Sequence, residues 1–149
     1  MLSKTAQYAI RAVLLIAAES EVNHGAQEVA RRIGAPPNYM AKLLKTLAGA
    51  GVLESTRGSG GGFRLARPAQ EIKLYDVVEP IDKFSRWTRC FLGLGGCDVD
   101  HPCPIHPLWM PIREQYLNLL QSKSVADIPA DPARIGPYRA VFSSAAEKE

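Results

Sequence analysis

No apolar run in this 149-residue chain approaches the length needed to cross a bilayer. A spanning helix takes about 20 predominantly apolar residues, so none is expected. Nor is the N-terminus expected to be a secretory leader: Lys4 and Arg11 interrupt its apolar segment, and no small-residue cleavage site follows it. The expected compartment is therefore the cytoplasm. Cysteine is scarce, with three residues in all, and every one lies in a single short segment. In a reducing compartment such a cluster points away from a disulfide-stapled scaffold and towards metal binding or redox chemistry. With 22% charged and 46% hydrophobic residues, the composition fits neither a disordered nor a fibrous chain. The length suits one domain, with or without an appended arm, able to bury about 70% of the unfolded chain's surface.

The three thiols stand in Cys90-Phe-Leu-Gly-Leu-Gly-Gly-Cys97-Asp-Val-Asp-His-Pro-Cys103, and His106 follows three residues later. Structural thiols are scattered through apolar segments. These are set among Gly93, Gly95, Gly96, Pro102 and Pro104, where the backbone can fold around a cofactor. Four soft or borderline donors in one loop suggest a metal.

The net charge of +3 hides an asymmetry. Residues 1–70 hold nine Lys or Arg against four Asp or Glu, a balance of +5, whereas residues 71–149 hold nine against eleven, a balance of −2. The first half is thus the expected polyanion binder. Within it, Ser3 can cap a helix whose apolar positions Ala6, Ala9, Ile10, Val13, Leu14 and Ala17 follow the spacing of one buried face. Gln27 to Ile33 reads as a short helix stopped by Gly34-Ala35-Pro36-Pro37. A further helix runs from Pro37 to about Ala50, with Tyr39, Met40, Leu43, Leu44 and Leu47 as its apolar stripe. Two short helices joined by a Gly-containing turn make a helix-turn-helix, whose second member fits the DNA major groove. Helical hairpins that bind no DNA share this pattern. Val52–Thr56 and Phe63–Leu65 then read as two strands joined by Arg57-Gly58-Ser59-Gly60-Gly61-Gly62, a hairpin with a slim tip. Directly behind a helix-turn-helix such a hairpin reads as a wing, with Arg57, Arg64 and Arg67 as its positive charge.

Ile72, Leu74, Val77 and Val78 predict a short helix ending before Pro80. Beyond the cysteine loop, Trp109, Ile112, Tyr116, Leu119 and Leu120 recur at the spacings of one apolar helix face, whose exposed aromatics call for a partner. Ser124-Val125-Ala126-Asp127 resembles a capping box with Asp in place of Glu. The fold class is mainly α with a small β-hairpin wing. The expected organisation is a winged helix-turn-helix over 1–80, a cysteine loop over 81–106, a long helix over 107–128 and a tail over 129–149.

The segments Leu2-Ser3-Lys4-Thr5-Ala6-Gln7-Tyr8-Ala9-Ile10-Arg11, Arg57-Gly58-Ser59-Gly60-Gly61-Gly62-Phe63-Arg64-Leu65-Ala66 and Cys103-Pro104-Ile105-His106-Pro107-Leu108-Trp109 together resemble the bacterial Rrf family of transcriptional regulators, in its cluster-binding IscR and NsrR types. The resemblance runs from residue 1 to about 128. It implies a homodimer paired through the long helix and bound to a roughly two-fold symmetric element of double-stranded promoter DNA. It places DNA contacts on Asn38, Tyr39, Lys42 and Lys45 of the second helix and on Arg57, Ser59 and Gly60 of the wing. It further implies an iron-sulfur cluster on Cys90, Cys97 and Cys103, with His106 as fourth ligand. NsrR-like members use a first-helix carboxylate for a 4Fe-4S cluster, but the corresponding position here is Gln7 with no acid nearby. A 2Fe-2S cluster is therefore favoured over 4Fe-4S. The expected function is that of a repressor sensing redox, nitric oxide or iron-sulfur status, with no enzymatic activity.

Two features depart from the family pattern. Six residues separate Cys90 from Cys97, one more than in the IscR pattern, and Pro111 requires the long helix to begin or bend there. Other readings stay open at this level. Three cysteines and a histidine can close a tetrahedral zinc site, though at wider intervals than zinc knuckles use. The thiols can act as a cluster-free redox switch. A cysteine nucleophile with His101 or His106 as base would make an enzyme, but no substrate motif accompanies it. An iron-sulfur carrier or scaffold that binds no DNA would leave the wing and the basic half without a use.

Overall fold

The computed structural model describes residues 2–84, 90–92 and 100–128. Helix α1 (Lys4–Ala18) is the spine. It buries Ala6, Ala9, Ala12, Val13, Leu14, Leu15 and Ile16 and touches nearly every other element. Four of its positions on these faces are alanine or valine, so neighbouring backbones approach closely. The Ser3 hydroxyl caps it by accepting from the Ala6 amide at 3.1 Å, as the sequence predicts.

Helix α2 (Ala26–Ile33) and helix α3 (Pro37–Gly49) form the helix-turn-helix. The turn depends on Gly34, which sits in the left-handed region at φ 69°. The Ala35 amide donates back to the Ala30 carbonyl at 2.9 Å. Pro36 and Pro37 then set the extended-to-helical entry of α3, where a missing N–H costs nothing. Arg11 reaches across from α1 and donates to the Ile33 carbonyl at 2.6 Å, satisfying an end carbonyl of α2. Burial lowers the pKa of that guanidinium from its ordinary value. Val29, Ala30, Ile33, Met40, Leu43, Leu44 and Leu47 close the core against α1. Each large aliphatic chain so buried contributes roughly 1.5–3 kcal/mol.

Strands β1 (Leu53–Thr56) and β2 (Gly62–Leu65) pair antiparallel, Leu53 facing Leu65 and Thr56 facing Gly62. The hairpin is anchored at its base by His24, whose backbone exchanges two 2.9 Å hydrogen bonds with Phe63. Gly62 allows this approach: a Cβ there would stand 2.7 Å from the His24 carbonyl oxygen.

Helix α4 (Leu74–Asp82) departs from the sequence reading by running through Pro80 instead of ending before it. The proline removes a single hydrogen bond, to the Asp76 carbonyl, close to the helix end. Burial of Leu74, Val77 and Val78, with Ile81 packed beside them, outweighs that loss.

Helix α5 (His106–Ser122) begins upstream of Pro111, so the proline does not start it. Pro107 occupies the first turn at no cost. Pro111 deprives only the exposed Pro107 carbonyl of a partner, which water can replace. The expected single apolar face is in fact two. Tyr116 and Leu120 turn inward onto Phe84, the Phe84 and Tyr116 rings lying 5.4 Å apart, in a small second core with Ala6, Leu74 and Val78. Ile112 and Leu119 turn outward and are joined there by Leu108. Trp109 is only partly exposed, packed on Phe91 at 5.1 Å, so the outward face is aliphatic and not aromatic. After α5 the chain returns to the domain: Val125 donates to the Ile72 carbonyl at 2.8 Å. The Asp127 carboxylate accepts from the Ser124 amide at 2.7 Å and from its hydroxyl at 2.9 Å, the expected Asp variant of a cap. These bonds hold the Asp127 pKa below the usual carboxylate range.

Candidate nucleic-acid interface and cysteine loop

Helix α3 has one buried and one open side. Met40, Leu43, Leu44 and Leu47 face the core, which leaves Asn38, Tyr39, Lys42 and Lys45 exposed. Asn38, Lys42 and Lys45 follow spacings of four and three, so they form one ridge along the helix. Among the described residues no carboxylate pairs with Lys42 or Lys45. The sequence-predicted residues of this helix therefore come together on one face.

In the wing, Arg57, Ser59 and Gly60 are exposed at the tip. Gly58 and Gly60 hold positive φ values of 95° and 76°. At Gly61 an added Cβ would lie 2.3 Å from the Thr56 carbonyl oxygen. The turn closes with the Gly61 amide donating to Gly58 at 3.0 Å, and Asn23 steadies it by donating to the Gly60 carbonyl at 3.0 Å. Not all of the expected wing charge is unpaired. Arg64 pairs across the strands with Glu54, its register partner. Arg67 is folded back onto Asp76 at 3.0 Å and onto the Glu71 carbonyl at 2.9 Å. Arg57 is the arginine of the three that no ion pair engages among the described residues.

The sequence reading missed a contribution from the start of α1. The Thr5 and Tyr39 hydroxyls are hydrogen-bonded, the Tyr8 ring meets Tyr39 edge-on at 6.4 Å, and the Lys4 ammonium stands 6.0 Å from the centre of the Tyr8 ring. Lys4 and Tyr8, four residues apart, are off the buried stripe of α1, and that spacing was the available signal. Ser3 in turn binds α4: its amide donates to Asp82 at 2.9 Å and its hydroxyl donates to the same carboxylate. The first turn of α1 thus binds the end of α4 through Ser3 and the exposed face of α3 through Thr5.

Phe84, two residues beyond α4, precedes the cysteine loop. Cys90 and Cys103 are half-buried, and their Sγ atoms lie 3.9 Å apart. Two thiolates bound at about 2.3 Å to one tetrahedral centre stand about 3.8 Å apart, so the pair fits a shared metal. His106 opens α5 and its amide donates to the Cys103 carbonyl at 2.9 Å, which keeps the histidine within one turn of the thiol. Cys97 lies outside the described residues. His101 is exposed. His24 is 1% exposed, because its backbone pairs with Phe63 and carries the ring into the domain.

No helix among the described residues is long and apolar enough to cross a membrane. The family model described as iron-dependent transcriptional regulator, Rrf2, matches residues 2–131. Over 128 residues the chain is 32% identical to Protein aau3 of Rhizobium meliloti (strain 1021), spanning 85% of this chain and 83% of that one. Over a stretch of the same length it is 30% identical to the HTH-type transcriptional regulator IscR of Klebsiella pneumoniae (strain 342), spanning 85% and 78%. The solved structure of CymR, the global cysteine regulator of B. subtilis, shares the fold with a TM-score of 0.72 at 20% identity, over 85% of this chain and 94% of that one. The chain belongs to the Rrf2 family: it is a DNA-binding transcriptional regulator, not an enzyme.

Proposed function

We propose that this regulator is a homodimeric, iron-sulfur-dependent repressor. Helix α3 enters the major groove, where Asn38 and Tyr39 meet base edges or sugar and Lys42 and Lys45 meet phosphates. Arg57, Ser59 and Gly60 carry the wing tip to the flanking backbone, and Lys4 with Tyr8 extends the phosphate contact onto α1. Cys90, Cys97, Cys103 and His106 hold a 2Fe-2S cluster. Such a cluster, when bound, supplies a centre that responds to electrons, oxygen or nitric oxide. The observation that carries this reading is the 3.9 Å separation of the Cys90 and Cys103 sulfurs directly before His106. The chain's own residues provide the route to DNA. Any shift of the loop moves Phe84 and the end of α4, and Asp82, Ser3, Thr5 and Tyr39 pass that displacement to α3. The second copy packs on the aliphatic face of α5, where Leu108, Ile112 and Leu119 are 69%, 60% and 50% exposed.

The same pair of sulfurs also favours a second reading, a cluster-free thiol switch in which a peroxide takes two electrons and two protons from the Cys90 and Cys103 thiols, leaving as water, and the sulfurs close from 3.9 Å to a disulfide of about 2.05 Å. Anaerobic purification followed by iron, sulfide and zinc analysis and a visible spectrum separates the two. The cluster reading expects two irons and two sulfides per chain, and loss of colour on Cys103→Ser. Colourless, iron-free protein after attempted reconstitution would leave the thiol switch, and stoichiometric zinc would leave a structural metal site.

A further inference from the structure

A second group of metal-ligating side chains lies far along the sequence from the cysteine loop, at the joint between α1, α2 and the wing. Glu19 follows the last residue of α1, His24 lies in the loop beyond it, and Glu28 is in the first turn of α2. One ligand atom from each falls within 4.8 Å of the other two. The geometry points to a binding site for a first-row divalent cation, of the zinc type, on Glu19, His24 and Glu28.

The histidine carries the argument. His24 is 1% exposed, and its Nε2 stands 3.0 Å from the Glu19 carbonyl oxygen. A carbonyl only accepts, so in the neutral ring Nε2 bears the proton and Nδ1 the lone pair. That Nδ1 is buried and has no hydrogen-bond partner. A ring nitrogen fixed by a backbone carbonyl, with the opposite nitrogen bare, is the arrangement in which protein histidines meet metals. A buried acceptor without a donor is otherwise costly.

The carboxylates supply the charge. Arg32 already bridges them, at 2.6 and 2.8 Å to the two oxygens of Glu19 and at 3.4 Å to Glu28. That contact holds the Glu19 pKa below its ordinary value. Both ion pairs are partly exposed, with Glu19 and Glu28 side chains 40% and 44% accessible. They are therefore weak competitors for a divalent ion. Each carboxylate oxygen has two lone pairs, so Arg32 can remain as an outer partner of a ligating Glu19. Ligands about 2.1 Å from a tetrahedral cation are about 3.4 Å apart. The present spread of up to 4.8 Å would be closed by the two more exposed glutamate side chains, since the histidine is buried and held. One nitrogen and two oxygens suit zinc or a neighbouring first-row ion better than the thiol-selective soft metals.

The site would act on the wing. His24 is hydrogen-bonded through its backbone to Phe63 of β2, and the adjacent Asn23 holds the wing tip at Gly60. A cation on His24 would stiffen the wing base without touching the cysteine loop.

The test is a zinc titration of the full chain, 15N-labelled, following the imidazole nitrogens of His24 and the exchange of the Phe63 amide. The expected result is a shift of the His24 ring resonances and at least tenfold slower Phe63 exchange. Zinc affinity should fall at least tenfold in Glu28→Gln, whose exposed side chain leaves folding intact, and stay unchanged in Cys103→Ser. No shift of the His24 ring at millimolar zinc would overturn the site. So would equal affinity in Glu28→Gln, or a shift that disappears in Cys103→Ser.

Discussion

At the scale of single residues, the exposed cations divide into those that are spent on the protein and those that are not. Arg64 and Arg67 answer Glu54 and Asp76, whereas Lys42, Lys45 and Arg57 face outward without a carboxylate partner among the described residues. Each phosphate neutralised on binding releases condensed counterions, which makes affinity fall with salt. Lys42→Ala and Arg57→Ala should each weaken binding to a selected duplex and reduce the slope of log K against log salt by about 1. Arg64→Ala should leave that slope unchanged, as measured by fluorescence anisotropy at several salt concentrations. The exposure of Lys42 was legible because α3's apolar stripe fixes which side is open, and that of Arg57 because it stands in the glycine-rich hairpin tip. The pairing of Arg64 was not, because strand register decides whether Glu54 stands opposite it, and register is invisible in one chain read residue by residue.

At the scale of elements, the helices of the reading head were the most legible part. Their apolar spacing, the Ser3 cap and the Gly34-Ala35-Pro36-Pro37 corner all specify the same local structure. The core they form is dense enough that truncation leaves a cavity. Leu44→Ala, at a site with 0% exposure, should cost about 2–5 kcal/mol by urea unfolding. A loss within the range of surface substitutions would show that α2 and α3 do not share the core described. The prolines were less legible. Pro80 and Pro111 looked like boundaries, yet both lie inside helices, because each removes one hydrogen bond while its helix buries a face. Nor does spacing alone reveal that α5 splits its apolar residues between two sides. Tyr116 and Leu120 turn inward only because Phe84 and α4 wait there, a tertiary fact.

At the scale of the whole molecule, the proposed function puts pairing on the outward face of α5 and sensing in the cysteine loop at its start, side by side. Leu108, Ile112 and Leu119 repeat along one side of the helix and stay exposed in the single chain, as a self-complementary two-fold contact requires. Ile112→Asp should yield a monomer by analytical ultracentrifugation, with a native helical spectrum and greatly weakened binding to a symmetric duplex; a persistent dimer would place the interface elsewhere. If the loop controls DNA binding through α4, Asp82, Ser3 and Tyr39, cluster occupancy must change affinity. A coupling of about 1–3 kcal/mol corresponds to a roughly 5- to 150-fold difference. The most direct measurement compares the affinity of anaerobically prepared, cluster-loaded protein and its cluster-free form for one duplex selected from a random pool. The account predicts a difference within that range, reduced in Asp82→Asn; equal affinities for the two forms would contradict it.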